Sequence, residues 1–389
     1  MDEALARWLV GPEGAEALAE ASAWPDPSSL AAAAALRRRW TPEQASAASR
    51  QVELRRRGMA KFGDRATALF FPTAGLEQAT RADVARWRAS RFVAAGASRV
   101  IDLGCGIGAD ALAFVEAGLE VLGVELEPAT AVLAGANLGE RGRVITGDAV
   151  RLAGELLRPG DAVFLDPARR TARGRTWRVA DVTPPWEWAT GMLAGWTGCL
   201  KAGPGIPHAD LPEDLAIAWV SDHGDLVEAG LWSGQSDWAP GSRMVVLLPE
   251  GIEWRVERRP EPRIGELGRY LYEPGPAVIR AGGIPALAEQ VAGWALAPGI
   301  AYLASDTLVE TPLATAFEIE QAMPHDERTL RAWARRAGIG RLEIKLRGLD
   351  IDPAVLRRRL KLSGPNSATV ILTPTPAGVR ALVASRSVS

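Results

Sequence analysis

The sequence predicts an α/β protein in which a parallel sheet is covered by helices on both faces. Short apolar strands alternate with helices between residues 100 and 165, and a glycine-rich turn joins the first strand to the first of these helices. Regular alternation is typical of a parallel sheet, because each crossover lays a helix on one face. The 389 residues are too many for one ordinary core, so two or three domains are expected.

The predicted elements follow one another in short steps. Strands are expected at 100–103, 120–124, 143–146 and 162–165, with helices at 110–117, 128–138 and 150–157 between them. Three later strands are expected in IAWVSD, DLVEAGLW and RMVVLL, between residues 216 and 248. Strands FEIEQ, RLEIKLRG and SATVILT, with helices at 327–337 and 353–360, form a small second α/β unit.

Residues 1–80 are predicted to be helical. Thr41 followed by Pro42 marks a helix start, because Thr caps the first turn and Pro lacks the N–H that this turn leaves unused. A further helix is expected from Leu76 to Val93, directly before the first strand. We therefore divide the chain into an N-terminal helical region at 1–80, a central domain at 81–260 and a C-terminal region at 261–389.

Composition predicts a globular cytoplasmic protein. The hydrophobic fraction is 47% and the charged fraction 24%, and no apolar run reaches the length of a membrane span. The N-terminus has early acidic residues and lacks the pattern of a signal peptide. Two cysteines and three histidines without metal-ligand spacing predict no structural metal. The oligomeric state cannot be predicted from these features.

The net charge of −2 hides an uneven distribution. From Asp326 onward there are 13 Lys and Arg against 5 Asp and Glu, and a second basic cluster lies between Arg37 and Arg65. Separate basic faces on a near-neutral protein are typical of phosphate-binding surfaces. Solvated helix surface is the other interpretation.

The glycine-rich turn indicates the kind of ligand. Gly104, Gly106 and Gly108 follow a strand and precede a helix, where N–H groups face an electronegative ligand atom. This spacing also fits the fingerprint of dinucleotide-binding enzymes. Asp102 favours S-adenosylmethionine, because a carboxylate attracts its cationic amino group but repels a pyrophosphate.

Acidic residues end the next three strands as well. Glu125 lies 19 residues after Gly106, at the distance of a ribose-binding acid, and Asp148 is placed to accept from an adenine amine. Asp166 and Pro167 end the fourth strand. Ligands of parallel sheets bind at the carboxyl ends of strands, so these residues are expected to meet at one edge.

The whole chain resembles the class I S-adenosylmethionine-dependent methyltransferases that carry a C-terminal THUMP-like domain. The resemblance is carried by LFFPTAGLEQATRADVARWRASRF at 69–92, DLGCGIGADAL at 102–112, DPARRT at 166–171, RYLYEPGPAVIRAG at 269–282 and LEIKLRGLDIDPAVLRRRLKL at 342–362. It implies a Rossmann-like sheet that finishes in an antiparallel pair, S-adenosyl-L-methionine as cofactor, and a THUMP-like domain at about 317–389. Residues 76–85 are also similar to the approach segment of RNA cap guanine-N2 methyltransferases, which implies that Thr80 lies over the cofactor. Leu126 and Ala149, directly after two strand-end acids, complete the expected cofactor contacts.

The segment after Asp166 departs from the pattern of methyltransferases that act on exocyclic amines. In that pattern an acidic or amide residue is followed by Pro-Pro and an aromatic residue, whereas here Pro167 is followed by Ala168. Arg169 and Arg170 are candidates for stacking on a base or binding phosphate. Downstream, Trp177 and Trp186 are candidates for the missing aromatic ring, with packing as their other interpretation.

The leading hypothesis is direct methyl transfer to RNA, with an amine of guanine favoured, Asp166 and Pro167 at the acceptor and the C-terminal unit docking RNA. A small-molecule or protein acceptor is the first alternative. The second is a protein that binds the cofactor without transferring a methyl group, because the motif after Asp166 is altered.

Overall fold

The computed structural model describes residues 1–72, 75–169 and 179–387. The chain folds into two compact units, Met1–Glu253 and Trp254–Ser389. The N-terminal helices therefore belong to the same unit as the first sheet. Among the described residues, no helix is long and apolar enough to cross a membrane.

The chain begins with a layer of four helices, and the helix start predicted at Thr41 is present. They are α1 Glu3–Val10, α2 Pro12–Ser22, α3 Leu30–Leu36 and α4 Pro42–Phe62. Thr41 accepts from the Gln44 N–H while the Gln44 side chain accepts from the Thr41 N–H, which is a complete capping box.

The single helix predicted from Leu76 to Val93 is wrong, because the structure breaks it into α5 Gly75–Gln78 and α6 Ala82–Ala94. Two side chains cause the break. Lys61 Nζ donates hydrogen bonds to the carbonyls of Leu76, Glu77 and Ala79 at 2.8, 2.8 and 3.0 Å, and these are acceptors that a continuous helix would use. Thr80 turns inward, where its hydroxyl donates to Asp110 Oδ2 at 2.6 Å.

The predicted strand–helix alternation is confirmed. Its elements are β1 Arg99–Leu103, α7 Ala109–Glu116, β2 Glu120–Glu125, α8 Pro128–Leu138, β3 Gly142–Thr146, α9 Ala149–Leu156 and β4 Ala162–Leu165. β1 pairs in parallel with both β2 and β4, and β2 pairs in parallel with β3. β4 is apolar and wholly buried, and β1 is buried except at Arg99, as expected for strands covered on both faces.

The elements from residue 168 to residue 255 complete one nine-stranded sheet and a short ribbon. They are β5 Ala168–Arg169, β6 Val182–Thr183, α10 Trp186–Gly195, β7 Thr197–Ala202, β8 Ala216–Asp222, β9 Asp225–Ser233, β10 Arg243–Leu248 and β11 Ile252–Arg255. The sheet order is β11-β10-β8-β9-β7-β4-β1-β2-β3, and β5 pairs with β6 separately. β9 is antiparallel to both β7 and β8, so the expected antiparallel pair is present, and β10 adds a strand parallel to β8.

Within the first unit, the N-terminal helices pack onto the nine-stranded sheet through α8. Leu9, Leu18 and Val52 share a buried cluster with Leu133 of α8. Asn137, also on α8, accepts from the Phe70 N–H at 2.7 Å and donates to the Phe70 and Ile107 carbonyls. This one amide ties the segment after α4 to the loop between β1 and α7.

The second unit is a seven-stranded sheet with two helices on one face. Its elements are β12 Tyr270–Pro274, α11 Pro276–Arg280, α12 Ile284–Gln290, β13 Trp294–Ala295, β14 Leu303–Ser305, β15 Ala314–Pro324, α13 Glu327–Arg336, β16 Ile339–Leu346, α14 Pro353–Leu360, β17 Asn366–Thr375 and β18 Gly378–Arg386. The order is β13-β14-β12-β15-β18-β17-β16. Val370 packs with Trp333 of α13 and Leu356 of α14, whereas Ile371 packs with Phe317 in a second cluster. This alternation places α13 and α14 together on one face.

A buried arginine links three elements of the first unit. Arg88 on α6 is 0% exposed and pairs with Asp110 on α7 and Glu228 on β9. Burial works against its charge, but the two carboxylates outweigh burial and raise the pKa of Arg88. The guanidinium also lies 4.8 Å from the centre of the Phe164 ring.

We expect Arg88→Met to destabilise the first unit by about 3–5 kcal/mol, because the change leaves two buried carboxylates without a partner. Urea unfolding followed by tryptophan fluorescence measures this change. Arg86→Met on the same helix is the matched control, since Arg86 is exposed and forms an ion pair with Asp83 at the surface, and exposed pairs contribute little. Equal midpoints for the two variants would contradict a structural role for the buried pairs.

Candidate functional site

The loop between β1 and α7 depends on glycine at three positions. Gly104, Gly106 and Gly108 have φ values of 103°, 55° and 79°, in the left-handed region that other residues rarely adopt. The N–H groups of Gly104 and Cys105 donate to the Val124 carbonyl at 2.9 and 3.0 Å, which folds the loop over the end of β2. A tight turn before α7 results, as the spacing predicts.

Asp102 is the penultimate residue of β1 and is buried without a partner. Its exposed fraction is 1%, and neither carboxylate oxygen has a hydrogen-bond partner among the described residues. Burial, then the nearby Asp110 and Asp166 carboxylates, raise the pKa of Asp102 well above its usual range. A buried carboxylate without a partner is costly, so this position suits a cationic ligand group.

Glu125 ends β2 directly beside the glycine loop. Its Oε2 accepts from the Gly106 N–H and its Oε1 from the Glu127 N–H, both at 2.9 Å. The carboxylate is therefore fixed by the backbone, while each oxygen keeps a further lone pair for hydroxyl groups. The next residue, Leu126, is 58% exposed and offers an apolar surface at the same edge.

Asp148 follows β3 and caps α9. Its Oδ1 accepts from the Val150 N–H at 2.9 Å, and its Oδ2 lies 3.8 Å from Arg151 Nε. Ala149 begins α9 and is buried. Because β3, β2, β1 and β4 are neighbours in the sheet, the carboxyl ends that carry Asp148, Glu125, Asp102 and Asp166 lie along one edge.

Asp166 lies directly after β4 and is held by a lysine that the sequence reasoning missed. Lys201 Nζ donates to Asp166 Oδ2 at 2.7 Å and to Thr80 Oγ1 at 2.9 Å. Thr80 donates in turn to Asp110, the partner of Arg88. We call Asp166, Lys201, Thr80, Asp110, Arg88 and Glu228 the buried polar chain.

The sequence signal for Lys201 was its charge, because Lys201 lies between Leu200 and Ala202 on the mostly buried strand β7. Cys199 lies two residues before Lys201 on the same strand. Cys199 is fully buried, and burial raises the pKa of its thiol. Arg88 carried a similar signal, as a charged residue among Ala85, Ala89 and Phe92 on the buried side of α6.

The predicted acceptor-side residues are only partly described. Pro167 is buried directly after Asp166, and the backbone of Arg169 pairs with Val182 in the β5–β6 ribbon. Trp186 begins α10 and is half-buried. Arg170, Trp177 and the Arg169 side chain lie outside the described residues.

Comparison with curated proteins identifies the family. Two Mycobacterium tuberculosis proteins, from strains CDC 1551 and H37Rv, are described as uncharacterized S-adenosylmethionine-dependent methyltransferases and are 32% identical to this chain over 337 residues. Each match covers 84% of this chain and 91% of the relative. The chain belongs to the S-adenosylmethionine-dependent methyltransferase family. Its cofactor is S-adenosyl-L-methionine, as predicted, and the partnerless oxygens of Asp102 fit the cationic cofactor.

Family profiles match both ends of this methyltransferase. The profile described as THUMP domain-like covers residues 314–386, which confirms the expected C-terminal domain, and a domain of unknown function covers residues 2–58. A solved Porphyromonas gingivalis W83 structure, named as a candidate methyltransferase, aligns with a TM-score of 0.79 at 23% identity. The alignment covers 96% of this chain and 99% of that one, so it confirms the fold over both units.

The glycine loop also depends on Gly123 beneath it, in β2. A Cβ at Gly123 would lie 2.8 Å from Cys105 Sγ and 3.2 Å from Cys105 Cβ, so Gly123→Ala must shift the Cys105 side chain within the loop. We expect the affinity for S-adenosylmethionine to fall about tenfold, since overpacking costs roughly 1–3 kcal/mol. Isothermal titration calorimetry measures the affinity, and the double variant Gly123→Ala/Cys105→Ala should recover most of it.

The matched control for this experiment is Gly135→Ala in α8, where an added Cβ meets no atom within 4 Å. Its affinity should equal that of the wild type. Equal affinities for the Gly123 and Gly135 variants would show that the loop does not depend on the strand beneath it.

Proposed function

We propose that this methyltransferase methylates RNA at an exocyclic amine, with guanine as the favoured base. The observation that carries the proposal is Asp166, whose side chain is 36% exposed at the carboxyl end of β4. Lys201 donates to Oδ2, and among the described residues Oδ1 has no hydrogen-bond partner, so Oδ1 can accept an N–H from an amine. A donor amine complements a carboxylate that has one free oxygen.

The proposed cofactor residues lie on the neighbouring strand ends. Asp102 would hold the cationic amino group, Glu125 the ribose hydroxyls, and Asp148 Oδ2 the adenine amine. Backbone N–H groups of the loop at 104–108, with Leu126 and Ala149, would line the remainder. Thr80 supports this region from the buried polar chain, since its hydroxyl already donates to Asp110 and accepts from Lys201.

The transfer needs positioning more than acid–base chemistry. S-adenosylmethionine, when bound, supplies a methyl group on an electrophilic sulfonium. Asp166 Oδ1 accepts one N–H of the amine and turns the nitrogen lone pair toward that methyl group, and Pro167 holds the backbone at this point. An N–C bond forms as the S–C bond breaks, and the surplus proton on nitrogen leaves to solvent past the exposed side of Asp166.

RNA docking is proposed for the second unit. Exposed cations of α13 and α14, which we call the basic face, share one side of its sheet: Arg328, Arg335, Arg336, Arg358 and Lys361. The THUMP-like match covers this segment. Guanidinium groups suit phosphates, so this face complements a polyanion. Arg169, Arg170, Trp177 and Trp186 remain proposed contacts to the base and its phosphates.

The test of methyl transfer uses tritiated S-adenosylmethionine and total RNA from cells that lack the protein. Wild type should label RNA, and digestion to nucleosides should place the label on an N-methylated guanosine. Asp166→Ala should lower labelling about 100-fold because the amine is no longer oriented. Its cofactor affinity should change little.

Asp102→Asn should instead weaken cofactor binding, with an affinity about 10–100-fold lower, because a charged contact is lost. Asp64→Asn, on an exposed turn, is the control for both assays. Labelling of metabolites or proteins instead of RNA would show that the methyl acceptor belongs to another class of molecule. Cofactor binding with no labelling of any extract would mean that transfer has been lost.

We expect the triple charge reversal Arg335→Glu/Arg336→Glu/Arg358→Glu to weaken RNA binding at least about tenfold at low salt and to flatten its salt dependence, because phosphate contacts release counterions. Filter binding at several salt concentrations measures both. The control reverses the same number of charges at Arg86, Arg141 and Arg143, which are exposed in the first unit and lie outside both basic clusters. An equal loss in both variants would assign binding to net charge rather than to the basic face.

A further inference from the structure

We propose that Lys201 is the positioning residue that orients Asp166 for methyl transfer. This inference rests on the proposed function, since it assigns Asp166 to the acceptor. Lys201 lies on the neighbouring strand and acts through the carboxylate that it holds.

Strand register brings the two side chains together. β7 pairs in parallel with β4, with Leu200 opposite Leu165, so Lys201 and Asp166 are the next residues on adjacent strands. Lys201 lies within β7, and its 2.7 Å contact from Nζ to Oδ2 is made at the end of β4, where Asp166 directly follows the last paired residue. A sheet position is more rigid than a loop, which suits a residue that must fix an orientation.

The ammonium group is itself fixed by a second acceptor. Lys201 Nζ donates to Thr80 Oγ1 at 2.9 Å, and Thr80 is held by Asp110, which pairs with Arg88. The Lys201 side chain is only 15% exposed. Two acceptors on two elements restrain an otherwise flexible four-carbon side chain.

The surrounding charges keep this lysine protonated. Burial alone would lower the pKa of Lys201, but the carboxylates of Asp166, Asp110 and Glu228 outweigh burial and the opposing Arg88, and raise it. A charged ammonium therefore holds Oδ2 throughout the neutral range. Among the described residues Oδ1 has no hydrogen-bond partner, so it is the more available oxygen for an acceptor amine, and Lys201 fixes the orientation of the carboxylate that presents it.

Neutralisation of Asp166 has a second effect. A carboxylate without a counterion would attract the cationic methyl donor as strongly as it attracts the amine. With its charge already balanced by Lys201, Asp166 acts as a directional hydrogen-bond acceptor. The lysine thus favours the acceptor over the donor as the partner of Asp166.

The experiment compares Lys201→Met and Lys201→Arg with wild type, using total RNA from cells that lack the protein. We measure kcat and KM for transfer from tritiated S-adenosylmethionine, and cofactor affinity by calorimetry. Lys201→Met should lower kcat about 100-fold, because a displaced carboxylate misplaces the amine. KM for the cofactor and its affinity should stay near wild type, and Lys201→Arg should recover part of kcat.

The matched control is Lys345→Met, which removes another partly buried lysine paired with a carboxylate, Glu273, in the second unit. It should leave kcat unchanged. Cofactor binding shows that each variant is folded, and loss of that binding in both Lys201 variants would overturn the inference by assigning the lysine to cofactor binding or folding. A wild-type kcat in Lys201→Met would overturn this inference but not the proposed function. Absence of RNA labelling by wild type would overturn the proposed function and this inference with it.

Discussion

The buried pairing of Arg88 with Asp110 and Glu228 is the interaction on which the catalytic unit depends. It joins α6, α7 and β9, and through Asp110 it fixes Thr80 and then Lys201. Buried charges add little net stability unless every partner is present, so the network acts as a unit. The same contacts that join three elements therefore also set the position of the catalytic edge.

The charges at this edge are unequal. Asp102 has no partner among the described residues, whereas Asp166, Asp110 and Glu228 share Lys201 and Arg88. In the proposed site, the unbalanced carboxylate of Asp102 would face the cofactor and the balanced carboxylate of Asp166 would face the acceptor. The ends of neighbouring strands can in this way bind two ligands differently. Asp102 would attract a cation, and Asp166 would accept a hydrogen bond from a donor.

Local signals predicted much of this fold, because caps and periodicity act within a few residues. Helices 128–138 and 353–360 and the strand of the glycine turn are found where the sequence predicts them. The break at Thr80 could not be predicted, since it is caused by Lys61 and Asp110, both distant in sequence. Lys201 was missed for the same reason, because its role exists only once β7 pairs with β4.

The packing of the first helices against α8 determines the smallest fragment of this protein that could fold and function alone. Residues 2–58 match a domain family of their own, yet Leu9, Leu18 and Val52 bury Leu133 of α8. A fragment starting at residue 81 would expose that apolar surface and would lack Thr80 as the second anchor of Lys201. The helical segment is thus an integral part of the folding unit that carries the nine-stranded sheet.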